Sequence, residues 1–170
     1  MPFASPLTTS AAGALRTAVL LTSVCCLLPE AQAQPYYQRT IGSFVEDDGY
    51  TVAAMPDSGL VIGGNSYGFV TGTNSSEMYA TRFNRAGDML WSRHYDCGIV
   101  SYALGLAATD SGGLVISGSN NGYQGLLIKV DSQGIPVWGW GTTNVERFMG
   151  VSISDSGMVF TTGSSSGSNA

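Results

Sequence analysis

Ser66 stands at the centre of "GNSYG" (64–68), which has the form G-x-S-x-G, and His94 and several aspartates lie downstream. These are the residue types of a serine hydrolase. Such a nucleophile needs a strand, a sharp turn and then a helix, so that its hydroxyl is exposed at the turn. The next residues are "FVTGTNSSE" (69–77), whose Gly, Thr, Asn and Ser content reads as loop. "GSSSG" (163–167) repeats the form in the same kind of place. The motif is therefore a product of Gly/Ser-rich connections, and no residue is assigned a catalytic role.

The remaining reactive groups are sparse. His94 is the single histidine. A zinc site wants several His or Cys ligands, so His94 is expected on the surface of an outer strand. "EDD" (46–48) is the densest acid cluster, and oxygen ligands of this kind could hold calcium. It lacks the alternating D-x-D-x-D spacing and reads as a solvated loop. No metal and no cofactor is expected. Trp91, Trp138 and Trp140 could stack on sugars, with Tyr36, Tyr37, Tyr67 and Tyr123 beside them. Aromatic residues on strands commonly pack in the interior, and that is the expectation for Trp91 and Trp138. Tyr67, Asn121 and Tyr123 fall in the loops 64–77 and 118–124, where ligand contacts concentrate. They are the candidate binding residues.

The elements that would position these groups come from a repeat. "MPDSGLVIGG" from Met55, "TDSGGLVISG" (109–118) and "SDSGMVFTTG" from Ser154 are near-copies. Asp57, Asp110 and Asp155 mark a period of about 45 to 53 residues. Around each copy the apolar residues alternate or cluster as in strands. The first unit reads as strands at 49–55, 60–66, 78–84 and 89–95, and the second at 102–109, 114–120, 125–131 and 136–142. A third unit has two, at 148–154 and 158–164, and "YYQRTIG" (36–42) reads as a lead-in fourth strand. Asp57, Asp110 and Asp155 are expected to bond the amides just ahead of them, with Gly112 and Gly113 supplying the turn. Asp131 and Gly134, like Asn84 and Gly87, close a second hairpin in each unit.

Four short antiparallel strands per repeat predict a β-propeller blade. A β-sandwich is the alternative. The segment "LGLAATDSGGLVISGSNNGYQGLLIKVDSQGIPVW" (104–138) resembles the repeats of uncharacterised secreted bacterial β-propeller proteins and, more distantly, quinoprotein-type propeller repeats. The resemblance implies a propeller scaffold and carries no catalytic residues. The repeat units set the boundaries: a lead-in at 34–48, a first blade at 49–98, a second at 99–143 and a truncated third at 144–170. A closed ring needs at least about four blades, and about two and a half are read here. The chain is therefore expected to be a piece of a larger propeller, to associate with copies of itself through unclosed blades, or to keep its sheets open.

The N-terminus predicts export. Arg16 precedes the apolar run "TAVLLTSVCCLL" (17–28), and Ala31-Gln32-Ala33 fits a cleavage site, giving a signal peptide at 1–33. The run is shorter than the roughly 20 residues of a membrane helix, so no span is expected after cleavage. Cys25 and Cys26 leave with that segment, and Cys97 then has no partner for an internal disulfide. It is expected to be a small buried residue. The formal net charge of −5, with Lys129 the single lysine, speaks against nucleic-acid binding. The expectation is a secreted or envelope-associated, non-enzymatic binding or scaffold module with a protein or carbohydrate partner. The alternative is a fragment of an extracellular propeller enzyme, either a quinoprotein-like dehydrogenase or a carbohydrate-active enzyme.

Overall fold

The structure is a computed structural model and describes residues 38, 40, 42, 46–68, 75–98, 100–120 and 124–165. The chain divides into two compact units, Met1–Gln38 and Arg39–Ala170. Of the first unit only Gln38 is described, so the signal segment lies outside the described residues. The strands all belong to the second unit. Most of the lead-in strand 36–42 also lies outside the described residues; Gln38, Thr40 and Gly42 carry no strand assignment.

Every regular element among the described residues is a strand. The first sheet is β1 (Asp47–Ala54), β2 (Leu60–Ser66), β3 (Glu77–Phe83) and β4 (Met89–Tyr95). The second is β5 (Ser101–Ala108), β6 (Leu114–Asn120), β7 (Gln124–Val130) and β8 (Pro136–Thr142). The third has β9 (Arg147–Ile153) and β10 (Val159–Ser164). Within each sheet neighbouring strands follow chain order and pair antiparallel. Each strand expected in the three units is present, with ends displaced by no more than two residues.

One hairpin turn is used five times. In each, an amide bonds back to the carbonyl three residues earlier, as in Ser58 N to Met55 O at 3.0 Å and Gly112 N to Thr109 O at 2.9 Å. The residue closing the turn has positive φ: Ser58, Gly87, Gly112, Gly134 and Gly157. This is the three-residue loop in which a tight turn is followed by a left-handed residue, whose twist suits antiparallel strands.

The amide four residues on is taken by the first turn residue. Asp131 Oδ1 accepts from Ile135 N at 2.9 Å, Thr109 Oγ1 from Gly113 N at 3.0 Å, and Ser154 Oγ from Met158 N at 3.1 Å. This corrects the sequence expectation for Asp110 and Asp155, which stand one place later and are exposed. In the first sheet the phrase is slipped by one residue. Met55 holds the first position and has no acceptor to offer, and Asp57 Oδ1 accepts from Gly59 N at 3.1 Å.

A second device also recurs. The first strand of each sheet carries one extra residue: Tyr50, Leu104 and Met149. Each of these β-bulges lies beside a glycine of the next strand, Gly64, Gly118 and Gly163. A Cβ at any of the three would collide with a backbone carbonyl of the bulged strand, that of Asp48, Tyr102 or Arg147. The glycine ending each repeated phrase is thus there to admit the bulge.

The sheets stack on one another with two cores between them. In β6, Leu114 and Ile116 point into a core shared with Val61, Met78 and Ala80 of the first sheet. Val115 points the other way and packs with Leu127 and Phe148, flanked by Val151, Ile153 and Val159 of the third sheet. Burial on both faces makes β6 apolar without alternation over "LVI". The contacts step regularly along the stack. β5 lies against β1, β2 and β3, and β9 lies against β5, β6 and β7.

Candidate functional site

The groups that suggested hydrolysis are not assembled for it. Ser66 ends β2 at 1% exposure, and its Oγ accepts from Gly68 N at 3.0 Å. His94 corrects the surface expectation in part. It does lie on the outer strand β4 and is half exposed, but its Nδ1 pairs with the buried carboxylate of Glu77 on β3. A buried carboxylate is costly unless paired, so His94 is its partner. The acids Asp47 and Asp48 begin β1, and Asp48 Oδ2 accepts from the Tyr50 hydroxyl at 3.1 Å. Burial and that neighbouring carboxylate raise the Tyr50 phenol to about 12. Among the described residues no group of three or more His, Cys, Asp or Glu could hold a metal ion, and no helix is long and apolar enough to cross a membrane.

Residues 69–74 and 121–123 of the candidate loops, Asn121 and Tyr123 among them, lie outside the described residues. Tyr67 follows β2, is half-buried, and donates its amide to Glu46 O at 3.1 Å. The bases of these loops are tied by polar contacts. Asn65 Nδ2 donates to Ser76 Oγ at 3.2 Å, Met78 N to Ser101 Oγ at 2.9 Å, and Asn120 Nδ2 to the Cys97 carbonyl. Cys97 follows β4 and is partly buried, and burial above all pushes its thiol up to about 11.

A sharper site emerges from comparing the two gaps between sheets. In the first gap, Arg82 of β3 is buried and bonds in two directions. Its Nη2 meets Asp57 Oδ2 at 2.7 Å, and its Nη1 donates to Gly112 O on the next sheet's hairpin. Trp91, its cross-strand partner on β4, donates Nε1–H to Ser132 O at 3.0 Å. Tyr95 donates its hydroxyl to Gly134 O at 3.1 Å, and burial drives its phenol well above the usual range. The β7–β8 turn therefore caps the end of the first sheet. Gly134 fits there because its φ is positive and a Cβ would come within 2.8 Å of Arg93 Cγ and 3.0 Å of the Trp91 ring.

Register places Lys129 and Trp138 in the second sheet where Arg82 and Trp91 stand in the first. Here the gap is open. A cavity of about 430 Å³ is lined by Val115, Lys129 and Trp138 on one side and Ile153, Asp155 and Val159 on the other. Trp138 is 38% exposed and Trp140 54% exposed, although Trp140 stacks on Phe148 at 5.9 Å. The expectation of interior packing thus holds for Trp91 and fails for Trp138. The reason is local. Trp91 is covered by a third-to-fourth-strand turn of the adjoining sheet, and among the described residues the third sheet has two strands. Sequence reasoning missed this site because Trp91 and Trp138 share one offset from the turn glycine.

Comparison of the chain with protein families gives no match, and comparison with curated proteins gives none either.

Proposed function

We propose that the chain is an exported, non-enzymatic binding or scaffold module of β-propeller type, and that it binds through the open gap between its second and third sheets. The propeller reading is supported by the recurring step. Bulge, hairpin and sheet-to-sheet contact repeat from the first sheet to the second and from the second to the third. Face-to-face sandwich packing supplies no reason for a third layer placed like the second. Export rests on the N-terminal segment, and the partner is a polypeptide or a carbohydrate.

The observation that carries the binding role is the exposure of Trp138 and Trp140, where Trp91, the counterpart of Trp138 in the first sheet, is partly buried and bonded to the β7–β8 turn. Large exposed aromatics beside a polar rim mark interaction surfaces. The test is to secrete the full sequence with a photo-crosslinking residue at position 138, and in a control at Ser156. Mass spectrometry should find the exported chain beginning at Gln34 and a partner adduct at 138 alone. Retention of the N-terminal segment would sink the export reading. Equal adducts at both positions, or none, would sink the binding site.

A further inference from the structure

The outer strands β4 and β8 differ at two positions of the same register. Met78 and Ala80 of β3 point into the core shared with the second sheet, so Glu77 and Thr81 point to the opposite face. On that face β4 supplies a polar partner to each. Thr81 Oγ1 and Ser92 Oγ are hydrogen-bonded at 2.8 Å, and His94 Nδ1 meets the Glu77 carboxylate. The corresponding places in the second sheet hold Ile128 beside Gly139, and Gln124 beside Gly141. Both side chains of β4 are thus replaced by glycine in β8.

This face of the second sheet is turned toward the first, since Ile128 and Val130 lie in the shared core. The two glycines leave a groove of about 560 Å³ there, with Asp96 and Cys97 on one wall and Gln124, Leu126 and Ile128 on the other. Both walls belong to four-stranded sheets, and no residue of the third sheet lines it. Packing does not call for Gly139. A Cβ there would find its nearest neighbour, Leu127 O, at 3.8 Å, and its φ is not positive. A glycine inside a strand weakens it, and one without an internal cause marks a place where another group approaches the backbone.

We propose that this groove binds a neutral sugar. The apolar C–H face of a pyranose ring lies over Leu126, Ile128 and the bare backbone at Gly139. Its hydroxyls donate to the Asp96 carboxylate and exchange hydrogen bonds with the Gln124 amide, which is both donor and acceptor. They take the place that the Ser92 and His94 side chains fill in the first sheet. Asp96 is held in position, its Oδ1 accepting from Gly98 N at 3.1 Å. The charge of the site selects against anions. Burial first, and then the Asp96 and Glu77 charges, push up the Cys97 thiol, so a negative field reaches this wall. Among the residues lining the groove His94 alone is basic, and it is tied to Glu77. The volume lies in the range of small-molecule sites, roughly 300–1,000 Å³, and admits one or two sugar rings. The groove is on the opposite face of β8 from the gap at Trp138, and its occupancy does not depend on that gap.

The experiment titrates the full chain with glucose, galactose, mannose, N-acetylglucosamine, cellobiose and diacetylchitobiose, and with glucuronate as the anionic control. The readout is the amide chemical shifts, with the thermal midpoint measured alongside. At least one neutral sugar is expected to give saturable shifts at Gly139, Gly141 and Asp96, and glucuronate to bind about tenfold more weakly or not at all. Gly139→Leu fills the groove from a position where a Cβ has room. It should keep the thermal midpoint and lose about tenfold or more in affinity. Gln124→Ala removes the rim amide alone and should weaken binding about threefold or more, which serves where the leucine variant does not fold. Saturation by none of the six sugars overturns the proposal. So does glucuronate binding as tightly as the best neutral sugar, or affinity retained in both variants. Shifts that saturate at the Trp138 indole and leave Gly139 and Gly141 unmoved place the sugar in the other gap, and overturn it as well.

Discussion

Asp57 and Arg82 form an ion pair at 2.7 Å in which the guanidinium is 8% exposed and the carboxylate 49% exposed. The pair does two jobs. It closes the β1–β2 hairpin onto β3, and it orients the guanidinium toward Gly112 O on the second sheet. The Arg82 side chain, first by its hydrogen bond, and then the Gly59 amide hold the Asp57 carboxyl below its ordinary value. A depressed carboxyl stabilises the fold at pH values above its unfolded value, about 3.9, and that stabilisation is lost as pH falls through the folded value. Asp57→Asn should therefore lower the urea midpoint at pH 7, by an amount that shrinks as pH falls below the ordinary carboxylate range. Parallel curves for the two proteins across that range would show that the pair contributes no pH-dependent stability.

Cys97 should behave as an inert thiol. Its value of about 11 arises chiefly from burial, with the Asp96 and Glu77 charges adding to it. The thiolate is the reactive form, so little of it exists near neutral pH. Alkylation by iodoacetamide at pH 8 should be at least tenfold slower than for a free cysteine peptide, and should accelerate as pH approaches 11 or when denaturant is added. A rate equal to that of the peptide would show that Cys97 is open to solvent.

Ser58 is the odd member of the five turn-closing residues. It holds φ at 65°, where the other four positions have glycine. A left-handed conformation costs an L-residue roughly 1–2 kcal/mol. Part of the gain from glycine is returned as unfolded-state entropy. Ser58→Gly should raise stability by about 0.5–1 kcal/mol, read as a higher thermal midpoint. Its neighbour Gly59 must stay glycine, since a Cβ there would collide with the Phe83 carbonyl.

Strand positions were legible in the sequence because alternation and turn residues are local signals, and "LVI" in β2 and β6 falls where it was expected. The turns were legible too, but the atoms that close them were not. The recurrence of Asp57, Asp110 and Asp155 hides a one-residue slip, and the closing acceptors prove to be Thr109 and Ser154. The His94–Glu77 pair was not legible, because it depends on cross-strand neighbours 17 residues apart. Exposure of Trp138 depends on a different sheet altogether. The glycines that end the repeated phrases were visible in every copy. Their reason, a carbonyl pressed against Cα by a bulge, exists only once the strands are paired.

The bulge glycines make the sharpest mutational contrast. Gly118 and Gly139 both lie inside strands of the second sheet. A Cβ on Gly118 meets the Tyr102 carbonyl at once and comes within 2.8 Å of Met78 Cε, whereas a Cβ on Gly139 finds its nearest neighbour, Leu127 O, at 3.8 Å. Backbone cannot retreat as a flexible side chain can, so Gly118→Ala must either break the bulge at Leu104 or part β5 from β6. The expected cost is about 3 kcal/mol, the upper end for overpacking. Gly64→Ala should cost about the same, since its site is built the same way around the Asp48 carbonyl. Gly139→Ala should fall within about 0.5 kcal/mol of the parent. Urea unfolding of the three variants decides it. Equal midpoints for Gly118→Ala and Gly139→Ala would mean that the bulge relaxes without cost, and that the glycine ending each repeated phrase has some other cause.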